Sequence, residues 1–325
     1  MSRPRFGVVG TGRLGSVHAR ILSEMDTARL VGVLDRNAGR AEDIANQHRS
    51  RAFASLEALC AEVDAVVVAV TTSEHHGVAS GALAAGCHVL VEKPLAPTLT
   101  EADDLIARAE AAGRLLSVGH VERFNPAVRA CRHLLDDPRF ITCLRLARFQ
   151  PRGTDVSVAL DLMIHDIDLV LGLVDSPVAR VEGIGVSLMT DQVDMANARL
   201  RFANGAVADV SASRASVQPA RELRVFQRSG YFSLDLASGR GEFLRRRTTT
   251  PPARSEALEL ADVVERQEIR GDGVEPLRAE LEAFVAALAG KPSGIVRGPE
   301  AREALDIALR VQTEIETADA TAKDS

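Results

Sequence analysis

Apolar residues in this chain follow two different patterns. Through the first third they come in short unbroken runs: Phe6-Gly7-Val8-Val9, Leu30–Leu34, Ala65–Val70, Cys87–Val91 and Leu115–Val118. Strands that are apolar on consecutive residues are buried on both faces, which requires helices above and below the sheet. The intervening segments read as those helices. In the stretch from Thr98 to Ala112, Thr98 or Thr100 can cap an Ala-, Leu- and Glu-rich helix that Gly113 ends. The alternation predicts an α/β doubly wound parallel sheet over residues 1–122.

Past Gly119 the period changes to two. Phe140–Leu146, Ala198–Phe202 and Ala206–Ala212 alternate in character, and Asn204-Gly205 between the last two is a hairpin turn. Arg221–Leu236 continues as further strands. Residues 123–325 are therefore predicted to form an α+β domain around a large, open, mostly antiparallel sheet with one exposed face. Two helices follow, from about Glu275 to Ala289 and from about Pro299 to Thr317, before a polar, frayed tail at 318–325. Arg245-Arg246-Arg247 ahead of Thr248-Thr249-Thr250-Pro251-Pro252 reads as a solvated hairpin end.

Composition narrows the class. The chain has 325 residues, 46% hydrophobic and 26% charged, with a net charge of -6, which describes an ordinary globular protein of about two domains. No long single-sign tract recommends nucleic acid or an anionic membrane as a partner. No apolar run approaches a membrane span, and Met1-Ser2-Arg3-Pro4 leads directly into a strand with no signal-peptide core, so a cytoplasmic protein is expected. Cys60, Cys87, Cys131 and Cys143 lack metal-ligand spacing, so no metal site is expected and the thiols read as reduced and mostly buried.

Gly10-Thr11-Gly12-Arg13-Leu14-Gly15 follows the first strand and opens a helix. Gly10 allows the tight turn, Gly12 lets backbone approach a pyrophosphate, and Gly15 lets helix pack on strand, with the helix amides aimed at the phosphates. Asp35 ends the second strand at the position where a carboxylate accepts hydrogen bonds from an adenosine ribose. That favours NAD, while Arg36 beside it leaves NADP open.

The spacing of Val156–Val174 predicts a helix packed through Leu160, Met163, Ile164, Ile167 and Leu171. Asp161 and His165, four apart, share one face, with Asp168 a turn further along it. A half-buried polar group among apolar residues needs partners. Lys93, in Glu92-Lys93-Pro94, ends a strand of the parallel sheet at the edge where doubly wound proteins bind ligands. A Lys, an Asp and a His in this order suit oxidation of a secondary alcohol. His165 is suited to take the hydroxyl proton and Lys93 to donate a hydrogen bond to the oxygen as charge grows, with Asp161 orienting the imidazole.

Taken together, Gly10–Gly15, His75 in its Thr-x-x-His segment, Ala85-Gly86-Cys87-His88-Val89 leading into Glu92-Lys93-Pro94, Arg123-Phe124, and Asp161 with His165 resemble the Gfo/Idh/MocA family of oxidoreductases. The likeness spans nearly the whole chain. It implies a Rossmann domain followed by an open-sheet domain whose outer face joins subunits, hence a homodimer or homotetramer. It further implies Lys93 and His165 as the catalytic pair with Asp161 assisting. The implied cofactor-binding set is Gly10, Gly12, Arg13, Leu14, Gly15, Asp35, Arg36, Thr71, His75, Glu92 and Lys93. Cys87 and Thr71 depart from the family's usual Lys and Pro. Gly119-His120-Val121-Glu122-Arg123-Phe124-Asn125-Pro126-Ala127, and Pro151–Asp155 leading into Ala159–Asp168, resemble the branch that contains UDP-N-acetylglucosamine 3-dehydrogenases, as do Asp191–Leu200 and Ser211–Arg214. A UDP-sugar would offer a diphosphate to arginines, with Arg123, Arg152 and Arg214 the candidates. A dehydrogenase of a free sugar, inositol or other cyclic polyol shares the same catalytic residues, and a non-catalytic NAD(P)-sensing regulator is a further alternative on this fold.

Overall fold

The computed structural model describes residues 3–150, 156–247 and 263–323. The chain divides into two compact units. One holds the chain through Val121 together with Pro276–Asp306, and the other holds Glu122–Glu275 together with the chain from Ile307 onward. The first unit thus takes back a late segment, which a single cut near residue 122 does not represent.

In the first unit, β1 (Arg5–Val9), β2 (Arg29–Leu34), β3 (Arg51–Ala52), β4 (Ala65–Val68), β5 (His88–Glu92) and β6 (Leu116–Gly119) alternate with α1 (Arg13–Glu24), α2 (Ala38–Gln47), α3 (Leu56–Cys60), α4 (His75–Ala84) and α5 (Leu99–Ala112). The six strands pair in parallel in the order β6-β5-β4-β1-β2-β3, and a short strand at Val296–Arg297 adds antiparallel to β6. All four residues of β4 are fully buried, as its unbroken Ala-Val-Val-Val run requires. Thr98 caps α5 by accepting from the Glu101 amide, and Gly113 ends it in the left-handed region at φ 62°.

The second unit is built on β7 (Phe140–Leu146), β8 (Val178–Val186), β9 (Met195–Phe202), β10 (Val207–Ser213), β11 (Ala220–Gln227), β12 (Gly230–Asp235), β13 (Arg240–Arg246) and β14 (Val264–Arg270). Their order is β14-β13-β12-β11-β7-β10-β9-β8, antiparallel throughout except for the β7–β10 pair. Asn204-Gly205 makes the β9–β10 hairpin, with Gly205 at φ 83°. Ile141, Cys143, Ala198, Val210, Leu223, Val225, Phe232 and Phe243 are buried on one face of the sheet. The opposite face carries Phe140, Phe226 and Tyr231, whose rings contact one another in series. Arg245 and Arg246 lie in β13, and the Thr248–Pro252 part of the expected hairpin end lies outside the described residues.

Pro126–Cys131 forms α6 and Ile164–Leu171 forms α7. Near the end of the chain α8 (Pro276–Leu288) packs Phe284 edge-on against Phe6 of β1, and α9 runs from Gly298 to Lys323. The backbone at 318–323 is therefore helical, where composition predicted a frayed tail. Ala318, Ala320 and Ala322 are strong helix formers that extend a helix already nucleated by tertiary packing.

Candidate functional site

The candidate residues form two groups, one in each unit. In the first, the turn after β1 is made by Gly10 at φ 89°, whose amide donates to the Leu34 carbonyl at 2.7 Å. A side chain at Gly15 would put its Cβ 1.7 Å from the Gly10 oxygen, so the close pass of helix over strand needs glycine. A Cβ at Gly12 would meet no atom within 4 Å, and Gly12 caps α1 without any side-chain hydrogen bond. The start of α1 thus has room beside a bare, uncapped glycine, which fits the pyrophosphate of a dinucleotide. Arg13, Leu14, Arg36 and Thr71 are exposed.

Asp35 lies at the end of β2. Its Oδ2 accepts from the Thr11 amide at 2.7 Å and the Thr11 hydroxyl at 2.9 Å, and its Oδ1 from the Asn37 amide at 2.8 Å. Burial alone would raise its pKa, but the Asn37 and Thr11 hydrogen bonds and the Arg40 charge outweigh burial and lower it. The group is a carboxylate with three acceptor positions used and about one left for a ribose hydroxyl.

Lys93 is half-buried at the end of β5. Beside it Glu92 is buried, with Oε1 2.6 Å from Nε2 of His18 on α1. His75 is buried as well, with Nδ1 2.8 Å from the Pro94 carbonyl and Nε2 3.3 Å from that of Val70. Burial lowers the His75 pKa despite those carbonyls, and Nδ1, the nearer of the two ring nitrogens, ties the ring to the Lys93-Pro94 turn.

In the second unit the predicted helix is two kinds of helix. Residues Ala159–Met163 form a π-helical turn, in which the Ile164 amide reaches back to the Ala159 carbonyl, and α7 follows. Single π turns concentrate at functional sites, and this one carries Asp161. The wider turn breaks the simple four-residue register. Asp161 and His165 remain partly exposed, whereas Asp168, expected on their face, is fully buried.

Side chains from distant segments hold this helix. Arg123 grips Asp168 through Nε at 2.8 Å and Nη2 at 2.8 Å. Arg145 on β7 grips Asp166 through Nε at 2.8 Å and Nη2 at 2.7 Å, and its Nη1 reaches Glu122 at 2.8 Å. All three members of that triad are buried. Burial and the neighbouring Glu122 carboxylate raise the Asp166 pKa, against the opposing pull of Arg145. Buried Arg214 donates to the Val156 carbonyl, where the helical segment begins, and lies 3.7 Å from Asp194. Asp194 accepts from the amides of Leu188, Met189 and Thr190 at 2.8, 2.6 and 2.9 Å. Burial would raise its pKa, yet these bonds bring it down to about 2.

Comparison with known proteins agrees with this geometry. The oxidoreductase family with an NAD-binding Rossmann fold matches residues 4–120, and the GFO/IDH/MocA C-terminal domain matches residues 129–233. The chain belongs to the GFO/IDH/MocA oxidoreductase family. It is 39% identical, over 97% of its length and 98% of the relative's, to UDP-N-acetylglucosamine 3-dehydrogenase of Acidithiobacillus ferrooxidans. A solved structure of that enzyme superposes with a TM-score of 0.89 at 38% identity, covering 98% of this chain and 99% of that one. Inositol 2-dehydrogenase 2 of Paenarthrobacter aurescens is 30% identical over 96% of this chain and 95% of its own. As a family member the protein is an NAD-binding dehydrogenase.

Within the family frame, the structure distributes the expected substrate arginines unevenly. Arg123 and Arg214 are engaged in ion pairs with Asp168 and Asp194, and Arg152 lies outside the described residues. Sequence reasoning missed His18 and Arg145, and it gave no individual role to Glu122, Asp166 and Asp194, which it met only as parts of longer motifs. A signal existed for two of them. Arg145 continues the inward-facing alternation of Ile141 and Cys143, and His18 falls three residues after Gly15 and four before Leu22 on the apolar face of α1. A charged or polar group at a core position announces a buried partner without naming it.

Proposed function

We propose that the protein oxidises the 3-hydroxyl of UDP-N-acetylglucosamine to the 3-keto sugar, with NAD preferred over NADP. The observation that carries this reading is the 39% identity to the 3-dehydrogenase across 97% of the chain, joined to the presence of Lys93, Asp161 and His165. NAD, when bound by Gly10, Gly12, Gly15 and Asp35, supplies the hydride acceptor for the sugar carbon. His165 takes the hydroxyl proton, since an imidazole titrates near working pH, and Lys93 donates a hydrogen bond to the oxygen as it gains charge. Asp161, on the adjoining π turn, orients the imidazole. Arg152 is the diphosphate anchor of this reading, because Arg123 and Arg214 already serve buried carboxylates. The 30% identity to an inositol dehydrogenase supports a second reading, oxidation of a free cyclic polyol.

The same reading has the protein working in the cytoplasm as a homo-oligomer. The four cysteines are free and buried, which suits a reducing compartment, and no helix among the described residues is long and apolar enough to cross a membrane. The exposed sheet face supports self-association: Phe226 is 39% exposed on it, and Ile184 and Val186 are 62% and 48% exposed along β8.

Turnover with NAD is to be compared for UDP-N-acetylglucosamine, myo-inositol and glucose. The proposal expects the nucleotide sugar to dominate; oxidation of a free polyol at equal or higher efficiency overturns it. Lys93→Ala and His165→Ala should each lower turnover about 100-fold with NAD binding intact, and near-normal turnover in either removes that residue from the mechanism.

A further inference from the structure

The buried His18–Glu92 pair adjoins Lys93 in the first unit, and the catalytic steps proposed above do not use it. His18 has no solvent exposure; its Nε2 lies 2.6 Å from Glu92 Oε1, and its Nδ1 has no hydrogen-bond partner among the described residues. The ring's polar attachment is therefore to Glu92. Gly119 of β6 leaves room for the carboxylate, since a Cβ there would stand 3.1 Å from its Oε2. Burial pushes the Glu92 pKa up, but the hydrogen bond and charge of His18, followed by the charges of Lys93 and His75, bring it down. Glu92 thus stays a carboxylate in the interior, one residue before the lysine, with His75 fastening the residue after it through the Pro94 carbonyl.

We infer that His18 is a positioning residue for the oxidation, acting through Glu92 to fix the backbone and the local field from which Lys93 meets the substrate oxygen. The physical reason is that the two bonds out of Lys93 lead straight to groups locked by buried hydrogen bonds. A side chain as long and mobile as lysine can hold a substrate oxygen in register only if its root does not move. A buried carboxylate without a partner relaxes toward water or takes up a proton, and either change disturbs that root. A pair that merely pins α1 to the sheet would give stability alone and would be indifferent to Lys93.

The inference rests on the proposal that Lys93 acts on the substrate hydroxyl, and the test separates the two. Steady-state kinetics with NAD and UDP-N-acetylglucosamine are measured for His18→Ala, Lys93→Ala and the double variant, with NAD affinity by calorimetry and Tm for each. His18→Asn, which keeps a donor, and Glu92→Gln, which keeps the shape but not the charge, provide folded alternatives should His18→Ala unfold. The expected result is a fall in kcat of about 10- to 100-fold for His18→Ala, with NAD affinity within about twofold, partial recovery in His18→Asn, and no further loss of kcat on adding His18→Ala to Lys93→Ala. Additive losses in the double variant, or a lowered Tm with kcat unchanged in His18→Ala and Glu92→Gln, overturn the positioning role while leaving Lys93 in place. Normal turnover in Lys93→Ala instead removes the reading on which the inference stands.

Discussion

Around Gly10–Gly15 the functional geometry is made by backbone: a positive φ, a glycine that lets helix pass over strand, and a helix start without a side-chain cap. The segment bearing Asp161 and His165 is held instead by side chains, with Arg123, Arg145 and Arg214 reaching it from elsewhere in the chain. The contrast teaches where each region is fragile. The turn depends on the absence of atoms, and at Gly12, where a Cβ would meet nothing within 4 Å, adding a methyl can damage function without touching stability. The helix depends on buried charges that must all be present, so removing one damages stability first.

The sharpest way to break this comparison is Arg145→Ala, which leaves Glu122 and Asp166 buried without their shared cation. Breaking a buried ion pair on one side costs about 3 to 5 kcal/mol, read as a lowered urea midpoint for the second unit. An Arg145→Met, Asp166→Leu, Glu122→Gln triple variant should recover much of that loss, because no charge is then left stranded. If Arg145→Ala unfolds at the wild-type midpoint, the helix is not held by charge.

Asp194 comes next. Its folded-state pKa of about 2 lies below its unfolded value of about 3.9, so it contributes stability that is fully present above about pH 4 and is lost as pH falls toward 2. Asp194→Asn should lower stability by roughly 2 kcal/mol at pH 7 and flatten the acid limb of the stability curve. An unchanged acid limb would remove Asp194 from the support of the Val156 end.

Gly12→Ala probes the other side of the comparison. A methyl there meets no protein atom within 4 Å, so stability should change by less than about 0.5 kcal/mol, while NAD binding weakens about tenfold, or about 1.4 kcal/mol. Differential scanning calorimetry and NAD titration together decide it; a large stability loss with normal NAD affinity would invert the argument. The smallest effect is expected at Asp35. Asp35→Ser should lower the NAD-to-NADP affinity ratio by a few-fold to tenfold, and a wild-type protein that already prefers NADP contradicts the assignment of that carboxylate to the ribose.

The same contrast explains what could be read from the sequence. The Gly10–Gly15 turn, Asp35, the Thr98 cap and the Asn204-Gly205 hairpin are local: a few adjacent residues dictate the backbone, and the structure shows them where the spacing predicts. Lys93, Asp161 and His165 were legible as residue types at suggestive positions, but their supports were not. Arg145 with Asp166 is 21 residues apart and His18 with Glu92 is 74, distances at which no pattern of spacing identifies a partner. The π turn at Ala159–Met163 was illegible for a related reason. One widened turn leaves apolar periodicity almost intact, and nothing in that periodicity marks Asp168, three residues after His165 in α7, as buried against Arg123. The return of Pro276–Asp306 to the first unit is likewise a matter of tertiary packing, exemplified by Phe284 on Phe6.

The most direct test of the account is to follow the hydrogen on the sugar carbon. UDP-N-acetylglucosamine carrying deuterium at C3 is incubated with the protein and NAD, and both products are weighed by mass spectrometry. The account predicts NADH heavier by one mass unit and a UDP-sugar that has lost the deuterium and gained a ketone at C3. Unlabelled NADH, or no reduction of NAD by this substrate under conditions where myo-inositol reduces it, would contradict the account.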